Sequence, residues 1–343
     1  MLSQNIRYFR LKAGLSTDRL AEKICVGQNR ILRFESGDIE PSMMELRFLA
    51  RAMGVGIGDL LVDGRAGIEF VHHSSPGRMK VRTKTLADGT AERACARLFT
   101  IDRLFKGGVL SDPPQLHAVP ADLSPEGTAT ALRAWLGLPA HGPVLGLIPH
   151  LERAGFLVAE ADFEFEDVDA VSGLAGSRPY ILISAGLTPE RRRFAVCREA
   201  LRHALVPDES LRVDADGKKA AAVIRSFFMP REDMLREFGR RRAALFSSLR
   251  EIAAFYGMEP DDVLRLGTDT KVFSTNAVAK ARDVLRRTAE HRSRVAEVCV
   301  HEDLEHPRRL RTSVLRAYDE ELISASRAAE LLGMSTQAFM KTL

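Results

Sequence analysis

The sequence predicts a mainly α chain with a small mixed β-sheet, an α+β protein of more than one domain. Three observations point there. Apolar residues recur at intervals of three and four along most of the 343 residues. Only residues 156 to 160 and 180 to 184 read as short strands, around a turn-rich stretch. Residues 15 to 41 combine a cap, an apolar stripe, a tight turn and a second apolar stripe at the spacing of a helix-turn-helix.

The first helix of that pair starts at Ser16, whose hydroxyl suits an N-cap; Asp18 favours the positive end of the helix dipole, and Leu20, Ala21 and Ile24 share one face. Cys25, Val26 and Gly27 supply the turn. In the second helix Ile31 and Phe34 point inward while Gln28, Asn29, Leu32 and Arg33 point outward. Amides can bond both edges of adenine and guanidinium can do the same for guanine, so Gln28, Asn29 and Arg33 are the base-reading candidates. Arg30, between the faces, and Thr17, at the start of the preceding helix, suit phosphate contacts. Taken singly, each of these polar side chains reads as well as a solvated helix face.

The surrounding frame favours the functional reading. Residues 6 to 12 form a preceding amphipathic helix; Ser42 and Glu45 have capping-box spacing ahead of Leu46, Leu49 and Met53; Val55, Leu60 and Leu61 complete five short helices. With its LAEK, RFESG and EPS signatures, the stretch from 3 to 61 resembles the Xre family of bacterial and phage repressors, the lambda-repressor-like domains. The resemblance implies a five-helix DNA-binding domain acting as a homodimer on a double-stranded, inverted-repeat operator. Gly27 departs from it, standing where the family usually carries a serine cap.

Composition bounds the rest. With 45% hydrophobic and 28% charged residues, disorder is not expected. Arg7, Arg10 and Lys12 near the start, and the lack of any run of about twenty apolar residues, argue against export or membrane spanning, so a cytoplasmic protein is expected, nucleoid-associated when on DNA. Cys25, Cys95, Cys197 and Cys299 lie far apart without a CxxC pair and read as thiols of a reducing compartment. Residues 1 to 64 hold nine Lys/Arg against eight Asp/Glu, too little charge for strong generic phosphate attraction by one copy. Residues 65 to 106 hold nine against four, densest in RMKVRTK at 78 to 84, which reads either as a flanking DNA contact or as a solvated charge run.

Four domains are expected: 1–64, the helix-turn-helix domain; 65–123, a linker and connecting helix; 124–245; and 246–343, helical. Residues 62 to 86 lack helical period and read as a linker or weak hairpin. From 86 to 105, Ala91, Ala94, Cys95, Leu98, Ile101, Leu104 and Phe105 recur at helical spacing, suited to a dimer contact or to core packing. Pro113, Pro114 and Pro120 then break regular structure. Helices follow near 130 to 136 and 144 to 154, and Thr188-Pro189-Glu190 opens another that runs to about Leu205.

That last helix carries Glu199 and His203, four apart and on one face. With WLGLPAHGP at 135 to 143, LERAGFLV at 151 to 158, DAVSG at 169 to 173, RRRFAVCREALRH at 191 to 203 and FFMP at 227 to 230, the segment resembles the ImmA/IrrE metallopeptidases (DUF955), with a zincin-like fold. The resemblance makes Glu199 the base and His203 a ligand, but puts Arg198 at the first histidine and Lys219 at the third ligand, eleven before the proline of FFMP. A hydrolytic zinc site needs three protein ligands, so the expectation is a pseudo-enzyme with no catalytic residues, metal or cofactor. Asp208, Glu209, Asp214 and Asp216 are the nearby acids that can substitute. A pocket of inverted charge, with Arg198 and Lys219 pairing Glu199, suits a small anionic effector or a partner protein's acidic segment. The alternatives are a zinc protease or anti-repressor that cleaves another regulator, and an antitoxin-type interaction protein.

Helices are also expected at Leu249–Tyr256 and at 276 to 287. The stretch from Ser324 to Ser335 reads as a capped helix, a glycine stop and another helix start, compatible with a second helix-turn-helix. Its resemblance to the segment that follows ImmA/IrrE domains implies packing or dimer formation instead.

Overall fold

The computed structural model describes residues 1–62, 67–73, 79–120, 122–205, 217–239, 248–291 and 304–343. Along the chain the elements are α1 (Leu2–Lys12), α2 (Thr17–Lys23), α3 (Gln28–Ser36), α4 (Met43–Met53), α5 (Ile57–Leu61), β1 (Phe70–His73), α6 (Val81–Asp102), α7 (Pro125–Trp135), α8 (Leu147–Arg153), β2 (Leu157–Glu160), β3 (Ala170–Ala175), β4 (Arg178–Ile183) and α9 (Pro189–Ala204). They continue with α10 (Lys218–Phe228), α11 (Arg231–Phe238), α12 (Leu249–Tyr256), α13 (Pro260–Asp269), α14 (Thr275–His291), α15 (Arg309–Asp319), α16 (Ala325–Leu332) and α17 (Thr336–Met340). The fold is mostly helical with one small mixed sheet in the strand order β1-β3-β4-β2. Two compact units divide the chain: residues 1–109, 164–182 and 313–343 form one, and 110–163 with 183–312 the other.

In the first unit, α1 to α5 close over a core of Ile6, Leu20, Ile31, Leu49 and Leu60, all fully buried. The boundaries follow local chemistry. Ser16 Oγ accepts from the Arg19 amide, and Ser42 and Glu45 cap each other's backbone in both directions. A buried ion pair ties the first and third helices: Arg10 reaches both oxygens of Glu35, at 2.5 and 2.8 Å, and donates to the Leu15 carbonyl at 2.9 Å.

The helix-turn-helix domain is seated on α6 rather than tethered. The Arg93 guanidinium lies 4.0 Å from the Tyr8 ring centroid and donates to Asn5 Oδ1 at 2.6 Å; Asn5 in turn donates to the carbonyls of Leu60 and Val62. Tyr8 Oη and Thr90 Oγ1 are 3.0 Å apart. Only glycine fits where α1 meets α6, because a Cβ on Gly89 would stand 2.5 Å from Tyr8 Cδ2. Gly89→Ala is therefore expected to cost about 1–3 kcal/mol by overpacking, more than the roughly 1 kcal/mol gained in helix propensity, and urea unfolding will read the net loss.

Two strands went unread in the sequence. β1, in the stretch expected to be linker or weak hairpin, pairs antiparallel with β3, Phe70 opposite Ala175 and His73 opposite Ser172. Gly173 permits that approach, since a Cβ there would meet the Val71 carbonyl at 2.2 Å. Helix α6 begins five residues earlier than its apolar period shows, because its first turn is polar and capped by Asp167, which accepts from the Lys80 amide at 2.8 Å. Its apolar face, Leu86, Ala87, Ala91, Cys95, Leu98 and Ile101, is buried within this chain, the core-packing alternative to a dimer contact. In the basic run, Lys80 pairs with Glu166 at 2.9 Å and Arg82 lies 3.8 Å from the same carboxylate; Arg78 lies outside the described residues.

In the second unit α7 packs on α10, and the fully buried Arg133 bonds the carbonyls of Phe227, Pro139, Gly142 and Phe228. Arg193, also fully buried, pairs with Glu305, which accepts from the amides of Leu147 and Ile148 at the start of α8. The expected helix at Leu249–Tyr256 is present with those limits, and α9 starts at Pro189 behind the Thr188 cap.

Candidate nucleic-acid interface

Helices α2 and α3 are joined through Ile24 to Gly27. The Cys25 amide donates to the Glu22 carbonyl at 3.2 Å and the Val26 amide to the Ala21 carbonyl at 3.0 Å. Cys25 holds φ at +56°, an unusual conformation for a residue with a side chain, and the two carbonyl bonds hold it there. Gly27 is the N-cap of α3 and offers no side-chain bond, as its lack of a hydroxyl requires. The helix stops at Gly37, where φ is +84°.

Ile31 and Phe34 are buried at 0% and 1% exposure, which sets the rotation of α3 about its axis. Gln28, Asn29, Arg30, Leu32 and Arg33 are all exposed as a result. Gln28 Nε2 donates to Thr17 Oγ1 at 3.1 Å, so the two helix starts present one joined polar edge. Among the described residues, the Asn29 and Arg33 side chains make no ion pair or hydrogen bond and face solvent. Arg30 is placed differently. Its Nε donates to Glu45 Oε1 at 2.5 Å and its guanidinium lies 5.5 Å from the Phe34 ring, so it braces α3 against α4 while half exposed.

Glu45 is the site residue that sequence reasoning missed in this second role. Its spacing from Ser42 signalled the cap, while the bond to Arg30 depends on how α3 crosses α4. That bond, foremost, with the Ser42 hydrogen bonds, holds the Glu45 carboxyl down to about 2, against an ordinary 4.5. A carboxylate depressed on folding stabilises the fold above its unfolded pKa and loses that contribution as pH falls, here from about 4.5 toward 2. Arg30→Gln is expected to flatten the fall in thermal midpoint between those pH values, read by circular dichroism melts.

Residues 6–60 match the helix-turn-helix family HTH_3. The chain is also similar to the cryptic phage CTXphi transcriptional repressor RstR of Vibrio cholerae, 33% identical over 69 residues, which are 20% of this chain and 62% of the repressor. The chain thus spans less than two thirds of that relative's length. No solved structure matches it. The helix-turn-helix match falls on α1 to α5.

The second set of residues singled out in the sequence lies in the other unit. Arg198, Glu199 and His203 are on α9 and Lys219 is on α10. Glu199, 3% exposed, is held by Arg198 Nε at 3.2 Å and by Arg202 Nε at 3.3 Å. His203 is buried one residue further on, its ring edge-on to Phe156 with centroids 5.7 Å apart. Asp208, Glu209, Asp214 and Asp216 lie outside the described residues, as does Cys299. Cys95 and Cys197 are buried, and burial pushes both thiols up, which suits packing rather than nucleophilic chemistry. No helix among the described residues is long and apolar enough to cross a membrane.

Proposed function

We propose that the chain is a sequence-specific repressor of transcription whose α3 enters the major groove of an inverted-repeat operator, bound by a homodimer. One observation carries this reading: α3 is rotated by Ile31 and Phe34 so that Gln28, Asn29 and Arg33 form an exposed row of amides and guanidinium. Gln28, braced by Thr17, and Asn29 suit adenine edges, and Arg33 suits guanine. Leu32, 47% exposed in the same row, suits a thymine methyl. Arg30 donates from Nε to Glu45 and positions the helix, which leaves its terminal guanidinium nitrogens for phosphate. The repressor sign follows the similarity to a phage repressor.

A two-fold arrangement is supported by the ridge of Met44 and Phe48 on α4, 58% and 46% exposed one turn apart. Footprinting with the full chain on duplexes selected from a random pool is the test. The expected outcome is two protected half-sites about one helical turn, roughly 34–36 Å, apart. Protection of one unrepeated site by a monomer overturns the dimer, and protection independent of sequence overturns the reading as a whole.

In the same proposal the second unit is a peptidase-like body that has become a pseudo-enzyme. What supports it is the donor set: an HExxH helix puts base and second histidine three apart, so counted from Glu199 the resemblance puts Arg198, Arg202 and Lys219 at the three ligand positions, and of these Arg198 and Arg202 pair with Glu199; such fixed cations do not fit zinc. Metal analysis of the purified chain separates this from the protease reading: stoichiometric zinc ends the proposal. The cations suit a small anion or an acidic segment. Calorimetric titration with a dicarboxylate is expected to give heat that Arg198→Ala removes, and a flat titration of the wild type sinks that part.

A further inference from the structure

The end of the chain repeats the geometry of α2, the turn after it and the start of α3. Placing 323–342 under 15–34, an offset of 308 residues, sets Ile323 under Leu15, Ser324 under Ser16, Arg327 under Arg19, Ala329 under Ala21, Glu330 under Glu22 and Phe339 under Ile31. Backbone geometry agrees at each step. Ser324 accepts from the Arg327 amide as Ser16 does from that of Arg19. Gly333, at φ +70°, stands where Cys25 holds +56°. The Gly333 amide donates to the Glu330 carbonyl at 3.0 Å and the Met334 amide to the Ala329 carbonyl at 2.9 Å, the same two bonds that close the first turn. Ser335 then caps α17 from the position of Gly27, and does so with a hydroxyl that Gly27 lacks.

The outward surface repeats as well. Phe339 is fully buried, like Ile31, and orients α17; Met340, 51% exposed, falls where Leu32 is 47% exposed. Gln337 falls in the register of Asn29 and Lys341 in that of Arg33, an amide and a cation, both exposed. Packing to a shared core would demand only the inward residues. Keeping an amide, an apolar residue and a cation at the matching outward positions is what a surface that contacts duplex requires.

Both repeats lie within one compact unit, and residues of α6 reach both: Arg93 holds the first through Tyr8 and Asn5, and Arg97, one helical turn on, lies beside Gly333 of the second.

We propose that residues 323–342 form a second helix-turn-helix that contacts DNA through Gln337, Met340 and Lys341, at a fixed distance from the site read by α3. This rests on α3 reading DNA. The test selects random-sequence duplexes with the full chain as wild type and as two variants. Wild type is expected to enrich two unlike motifs at constant spacing within each half-site. Gln337→Ala with Lys341→Ala, both exposed and remote from the core, should lose one motif, keep the other, and bind wild-type-selected duplex about tenfold or more weakly. Gln28→Ala with Arg33→Ala should lose the opposite motif. Identical motifs and affinity for wild type and the Gln337/Lys341 variant overturn the proposal, and so does a change of oligomeric state with motifs intact, which would make the repeat a protein contact. Motifs that survive in the Gln28/Arg33 variant instead sink the assignment of α3, a distinct failure.

Discussion

A full-length variant carrying Gln28→Ala and Arg33→Ala is expected to lose roughly 2–6 kcal/mol of discrimination between its operator and unrelated duplex, each bidentate contact being worth about 1–3. Neither side chain supports the core: both are exposed, and the helix is oriented by Ile31 and Phe34. Melting temperature should therefore stay close to wild type, apart from the small loss of the Gln28–Thr17 bond. Electromobility competition, with operator against random duplex at fixed salt, reads the effect. Residual affinity should be the salt-sensitive part that comes from phosphates, and should be nearly equal for any sequence. An operator preference that persists in this variant would move the reading surface away from α3.

The largest effect on stability is expected from Glu305→Ala. Glu305 is buried at 1% exposure, faces the fully buried Arg193, and takes the amides of Leu147 and Ile148 at the start of α8. Removing the carboxylate leaves a guanidinium in the core with only the Val144 and Tyr256 carbonyls and the face of Phe228, and strips two helix-start amides of their acceptor. Breaking a buried pair from one side costs about 3–5 kcal/mol. Replacing both partners with apolar residues, Arg193→Met with Glu305→Leu, should recover much of that, because no charge is then stranded. Urea unfolding of the two variants gives the comparison; equal losses would mean that the amides at α8, not the stranded charge, set the cost.

Much of the helix-turn-helix domain was legible in the sequence because its signals are local. A cap joins residues three apart, an apolar stripe repeats at three and four, and an inward Ile31 determines that Leu32 and Arg33 face out. The same locality explains the misreadings. β1 is a strand because β3 lies beside it, and nothing within its four residues announces that partner. The start of α6 was hidden by a polar first turn whose cap comes from Asp167, 87 residues away. Near Glu199 the spacing of the helix did not announce that Arg202 also pairs with that carboxylate.

What the sequence by itself determined is the local grammar of the N-terminal helix-turn-helix and of the capped helix pair at 324–340: the capping serines, the turns, and which side chains must face inward. Only the tertiary structure decided that Arg30 is engaged by Glu45, that Arg193 is answered by a carboxylate 112 residues away, and that α6 holds α1 through Arg93. The physical reason is range. Caps and stripes are satisfied within one or two helical turns, whereas a guanidinium's partner is chosen by whichever distant backbone the packed core brings to it.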